Sequence, residues 1–119
     1  MSDLPVVCDL EQLDDAQRVR QQTTLEAVRA SVVAVAERPD GYAFTFASDS
    51  ETLARLAEFI ALESRCCGFL DFHLDVKAGS GLAVLDITGG AGAKEFIEAE
   101  LVGAGEVESL RKLPVLKNE

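Results

Sequence analysis

Two adjacent thiols, Cys66 and Cys67, form the most reactive motif in this 119-residue chain. They lie in Glu63-Ser64-Arg65-Cys66-Cys67-Gly68-Phe69-Leu70-Asp71-Phe72, where a helical pattern gives way to a strand pattern. Soft ions such as Hg(II), As(III) and Cu(I) prefer thiolate ligands. Neighbouring helical residues point about 100° apart, so the pair can share one ion only where the backbone is released, at a helix end beside Gly68. A third thiol, Cys8, would complete a three-sulfur set if the amino-terminal segment lies beside the strand that follows. The candidate metal ligands are therefore Cys66, Cys67 and Cys8, with Glu63, Arg65 and Asp71 as supporting residues.

The electrostatics do not predict an activated nucleophile. The negative end of a helix and Glu63, one turn before the thiols, both disfavour thiolate, while Arg65 opposes them. A bound metal would itself drive deprotonation. Three readings follow from these residues. The first is a thiol protein that binds a soft metal or metalloid ion, with no catalytic residue of its own. The second is a structural or interaction module, dimeric on this reading, in which the cysteines are core, since free cysteine is among the most buried residue types. The third is a thiol enzyme, such as an organomercurial lyase analogue with Asp71 as proton donor.

Other polar motifs carry less. His73 falls between Asp71 and Asp75 on the solvated side of an alternating strand. There is no C-x-x-C or H-x₃-H spacing to hold zinc. Gly89-Gly90-Ala91-Gly92-Ala93-Lys94 leads from a strand into a helix and could meet an anion, but Glu95 after the lysine and the glycine spacing exclude a Walker A loop.

The elements around the thiols can be read from periodicity. A short strand is predicted at 5–9. A helix follows at 11–29, with Asp9 as N-cap, Gln12 three residues on, and Leu13, Ala16, Val19, Leu25 and Val28 inward. A hairpin spans 31–47 around Pro39-Asp40-Gly41, with Gly41 in positive φ and Tyr42, Phe44 and Phe46 on one face. The rival reading continues the first helix to Glu37. A helix at 50–67 starts from a Ser48/Glu51 capping box, turns Leu53, Leu56, Ala57, Ile60 and Ser64 inward, and ends at Gly68. A second hairpin spans 69–88, with Leu70, Phe72, Leu74 and Val76 on its apolar face and a turn at Ala78-Gly79-Ser80-Gly81. A last helix covers 92–102, with Phe96, Ile97 and Leu101 inward, and 103–119 reads as a loose tail. The prediction is one α+β domain over 1–119: an antiparallel sheet of two hairpins with its helices packed on one face.

Composition bounds the partners. Apolar residues are 48% of the chain and charged residues 27%, enough to fill a core. The net charge of −10, without a Lys/Arg cluster, argues against nucleic acid and anionic membrane surfaces. Met1-Ser2-Asp3-Leu4-Pro5 lacks a basic, then apolar, leader pattern, and no run is long enough to span a bilayer. A cytoplasmic protein is expected, its three cysteines free thiols or ligands rather than a disulfide framework.

The segment Glu63-x-x-Cys66-Cys67-x-Phe69-x-x-Phe72-x-Leu74 resembles the E-R-x-C-C-P-F-x-x-F-x-L signature of small bacterial proteins often associated with MerR-type, heavy-metal-responsive regulators. Cys8 and Gly41-Tyr42-x-Phe44-x-Phe46 match the same pattern, so the likeness covers roughly 8–98. Ser64 replaces the signature's arginine and Gly68 its proline. The resemblance implies thiol binding of heavy metals, as in mercury resistance, with a soft metal ion and a metal-responsive regulator as partners; a second copy of the chain is the partner on the module reading.

Overall fold

The computed structural model describes residues 9–102 and 115–117. It is an α+β fold with its helices packed against a largely antiparallel sheet, as the pattern predicts. The predicted strand at 5–9 lies outside the described residues except for Asp9.

Asp9 does cap, but it caps a 3₁₀ turn, Leu10–Gln12, accepting from the Glu11 amide at 3.1 Å. The first α-helix, α1, runs Asp15–Ser31 and has its own capping box, in which Asp14 and Gln17 exchange hydrogen bonds. This shift moves the inward stripe. Thr24, Leu25 and Val28 are buried, Leu13 is buried ahead of the helix, and Val19 is 67% exposed, against expectation. The helix also claims Ser31, so β1 is Ala34–Arg38 and starts three residues later than the hairpin reading places it.

β1 pairs antiparallel with β2, Gly41–Ala47, around Pro39-Asp40. Gly41 is not in positive φ. Its requirement is steric: a Cβ there would sit 2.0 Å from the Ile87 carbonyl oxygen. Helix α2, Ser50–Cys66, is capped by Asp49, which accepts from the Thr52 amide at 3.1 Å, so the cap is one residue beyond Ser48. Its buried residues are Leu56, Phe59, Leu62, Glu63 and Cys66, a stripe rotated away from the predicted Ala57 and Ser64. Cys67 is the C-cap and Gly68 keeps negative φ, so the helix does not end in a left-handed glycine.

Strands β3, Leu70–Val76, and β4, Leu82–Gly89, form the second hairpin, with Gly79 and Gly81 in positive φ in its turn. β4 pairs with β2, which joins the two hairpins. Helix α3, Ala93–Ile97, gives way to a π-turn, Glu98–Val102, in place of one continuous helix. Within the segment read as a loose tail, Val115–Lys117 is strand β5, parallel to β1. The sheet order is β3-β4-β2-β1-β5.

Cross-strand register sets the core. Val35, Phe44 and Leu85 lie in line across the sheet, with Ile87 and Phe46 on the same face, and they meet Leu25, Val28, Leu56, Phe59, Ile97 and Leu101 from the helices. The opposite face carries the Arg38–Asp86 ion pair at 2.9 Å and exposed His73 and Asp71. Among the described residues no helix is long and apolar enough to cross a membrane.

The two glycines predict opposite outcomes in urea unfolding. Gly41→Ala forces a methyl into the β4 backbone and costs about 3 kcal/mol. Gly68→Ala has no heavy atom within 4 Å and no positive φ to strain, so it changes stability by less than about 0.5 kcal/mol.

Candidate functional site

The last turn of α2 carries the site. Leu56, Phe59, Glu63 and Cys66 follow one another at intervals of three and four, so all face inward. Cys67 then leaves the helix with a non-helical backbone, φ −118° and ψ 69°, which releases the second sulfur toward the first. Three backbone bonds hold this exit. The Cys67 amide donates to the Glu63 carbonyl at 2.6 Å, the Leu70 amide to the Cys67 carbonyl at 3.1 Å, and the Asp9 amide to the Cys66 carbonyl at 2.6 Å.

The sulfurs of Cys66 and Cys67 are 3.6 Å apart, and Glu63 Oε1 is 3.2 Å from the Cys67 sulfur. One donor atom from each of the three residues lies within 4.8 Å of the others. All three residues are buried, at 2% exposure for Cys66, 0% for Cys67 and 6% for Glu63. The thiols pack with Leu13 and Leu62, and Phe69 and Phe96 close the cluster with an edge-to-face contact at 4.9 Å.

Cys66 is a free thiol, whereas Cys67 is disulfide-bonded. This bears out the expectation of a free thiol at Cys66 and corrects it at Cys67. Which sulfurs come within covalent reach is decided by folding, and sequence spacing does not report it. The chemistry around Glu63 depends on that state. A reduced Cys67 donates its proton to the carboxylate, whereas an oxidised sulfur has no proton to give.

Burial pushes the Glu63 carboxyl above the usual carboxylate range, opposed by Gln21, whose Nε2 donates to Oε2 at 2.6 Å, and reinforced by the charge of Glu100. Burial, then Glu63, pushes the Cys66 thiol up to about 11, with a smaller push from Asp9. Burial thus disfavours the charged form of both groups, and Cys66 is not an activated nucleophile at neutral pH.

The residues singled out by sequence fall into two groups. Cys66, Cys67 and Glu63 come together. Arg65 is exposed and donates to the Gln12 carbonyl at 3.2 Å, tying α2 to the 3₁₀ turn rather than countering the charge near the thiols. Asp71 is exposed and register places it on the sheet face away from Leu70, Phe72 and the helices, so it does not face the thiols. Cys8 lies outside the described residues. His73 stands on that open face with Asp71. The glycine run after β4 is a packed turn: Gly92 takes positive φ as the cap of the five-residue α3, and a Cβ on Gly89 would meet that of Ala93 at 2.6 Å.

Gln21 belongs to no sequence motif. Its signal is its phase: Gln17, Gln21, Thr24, Leu25 and Val28 form the inward stripe of α1 once the helix is started at Asp15. A glutamine on that stripe opposite a glutamate on the α2 stripe marks a buried polar pair.

Comparison with protein-family models, curated proteins and solved structures finds no match.

Two outcomes follow from the burial of these groups. An acid whose folded pKa is raised binds more protons folded than unfolded, so its contribution is full below the unfolded value and is lost as pH rises. For Cys66 the window runs from the ordinary thiol value of 9.0 to about 11. Urea unfolding across it should lose about 2–3 kcal/mol, a loss that Cys66→Ala removes. Gln21→Leu leaves the buried Glu63 carboxyl without its amide donor. It should cost about 1–3 kcal/mol and raise the Glu63 pKa further, read by the carboxyl ¹³C shift against pH.

Proposed function

We propose that the reduced protein binds a soft metal or metalloid ion of the Hg, As or Cu type through Cys66 and Cys67, with Glu63 as a third donor. The observation that carries this reading is the 3.6 Å separation of two buried sulfurs beside a buried carboxylate. An ion held by thiolates at about 2.3 Å with tetrahedral angles keeps its sulfurs about 3.8 Å apart, whereas linear coordination needs about 4.6 Å. The pair as it stands therefore suits a three- or four-coordinate ion, and Glu63 offers a further donor. Capture releases the two thiol protons as two metal–sulfur bonds form. A disulfide at Cys67 blocks this, so a dithiol reductant must first open it. The resemblance to proteins associated with metal-responsive regulators is consistent with the protein buffering such an ion or handing it to a regulator. Cys8 as a further ligand, and a cytoplasmic setting that keeps thiols reduced, belong to the same proposal.

Burial of both sulfurs also supports a second reading, a structural or interaction module in which the cysteines are core. Titrating the reduced protein with one equivalent of Hg(II) separates the two. Binding gives an ultraviolet thiolate-to-metal band and protects both thiols together. Cys66→Ser or Cys67→Ser then weakens affinity by more than the ~100-fold that loss of a merely supporting residue costs. Affinity rises with pH, about tenfold per unit for each proton released, because Cys66 stays protonated up to its raised pKa. Thiols that resist labelling until the chain unfolds, with no band, would leave the structural reading.

A further inference from the structure

Glu63 stands between two enclosed spaces. On one side is the thiol cluster, closed by Leu13, Leu62 and Phe96 around Cys66 and Cys67. On the other is a cavity of about 30 Å³ beneath the π-turn, lined by Gln21, Phe59, Glu63, Glu100 and Leu101 among others. That volume has room for one or two water molecules. Neither cysteine lines it. The two carboxyl oxygens divide between the spaces: Oε1 contacts the Cys67 sulfur, and Oε2 accepts from Gln21, which lines the cavity. Glu100, which lines the cavity, is exposed on the π-turn, and Arg29 of α1 pins that turn by donating through Nε to the Glu100 carbonyl at 2.8 Å.

We infer that this cavity is the route by which small solutes reach the buried thiols, and that the Glu63 side chain is its gate. A solute enters beside Glu100, meets the carboxyl, and reaches the sulfurs when the Glu63 side chain rotates aside. The route gives an ion its first oxygen ligand before its sulfur ligands, and gives released protons a carboxyl that passes them outward. The pathway also discriminates by size: small reagents pass when the gate opens, and bulky ones are held out. This deepens the proposed ion binding and rests on it for its purpose, but a small thiol reagent can test the path without any ion.

Labelling the free Cys66 of the oxidised protein tests the route without any metal. The reagents are methyl methanethiosulfonate, small and uncharged, and a biotin-linked maleimide, with the labelled site read by mass spectrometry. The small reagent should label the native wild type, and the maleimide only at the rate of global unfolding. Leu101→Phe, which fills the cavity from the π-turn, should slow the small reagent at least about tenfold, and Glu63→Ala should speed it by a similar factor without adopting the urea dependence of global unfolding. Leu25→Phe fills the same space from α1 should Leu101→Phe lower the melting temperature. Equal labelling of wild type and both filled variants at equal stability would overturn the inference, as would labelling that follows global unfolding throughout. Hg(II) capture by the reduced protein separates this from the function: slower capture at unchanged affinity in the filled variants supports the route. Slowed labelling with no capture even by wild type keeps the route and removes the ion-binding reading.

Discussion

A carboxyl group inside the protein constrains everything around it. Glu63 sits on the inward stripe of α2 with almost no exposure, and an unsatisfied buried carboxylate would cost several kcal/mol. The amide of Gln21 and the sulfur of Cys67 meet its two oxygens. Those contacts fix the rotation of α1 against α2 and the direction in which the chain leaves α2. A glutamine one position either side on α1 would point away, and Glu63 would have to turn outward and take the thiol geometry with it.

The same carboxyl accounts for the quiet state of the thiols. Dry surroundings and a nearby acidic group keep Cys66 protonated well beyond neutral pH. A catalytic cysteine needs the reverse, a thiolate favoured by cations or a helix N-terminus. Here the sulfurs are at a helix C-terminus, and the guanidinium of Arg65 is engaged by the Gln12 carbonyl. A metal ion overcomes this resistance because it brings its own positive charge. The features that activate a catalytic cysteine are not those around Cys66.

The scaffold keeps this site stiff. β2 lies inside the sheet, paired on both sides, and its Phe44 and Phe46 are at the centre of the core. Gly41 permits the β4 backbone to approach within a distance that any side chain would forbid. On the far side, the Asp9 amide on the Cys66 carbonyl and the Arg65 contact with Gln12 clamp the 3₁₀ turn over the end of α2. The thiol cluster is thus enclosed by elements from both ends of the helix pair, while the π-turn, pinned by Arg29, covers the neighbouring cavity.

The hairpins, the two long helices and the thiol pair are legible from residue order alone, because strict alternation, turn residues and adjacency are local properties. Tyr42-Ala43-Phe44-Thr45-Phe46 can bury one face in only one way, and Gly79 and Gly81 can turn a chain wherever they stand. The rotation of each helix is less legible. Asp9 with Gln12 and Ser48 with Glu51 have capping-box spacing, yet the α-helices start from Asp14 and Asp49, and a shift of the start changes which residues are read as inward. That is why Val19 is exposed and why Gln21 escapes a periodicity argument started from Asp9. The roles of Gly41 and Gly68 depend on what approaches them, not on their own flexibility. The order β3-β4-β2-β1, the parallel β5, the disulfide at Cys67 and the placing of Glu63 between sulfur and cavity belong to the folded chain alone. Each is a contact beyond the reach of local pattern, and the burial that raises the pKa of a glutamate or a thiol exists only once segments far apart in the chain have met.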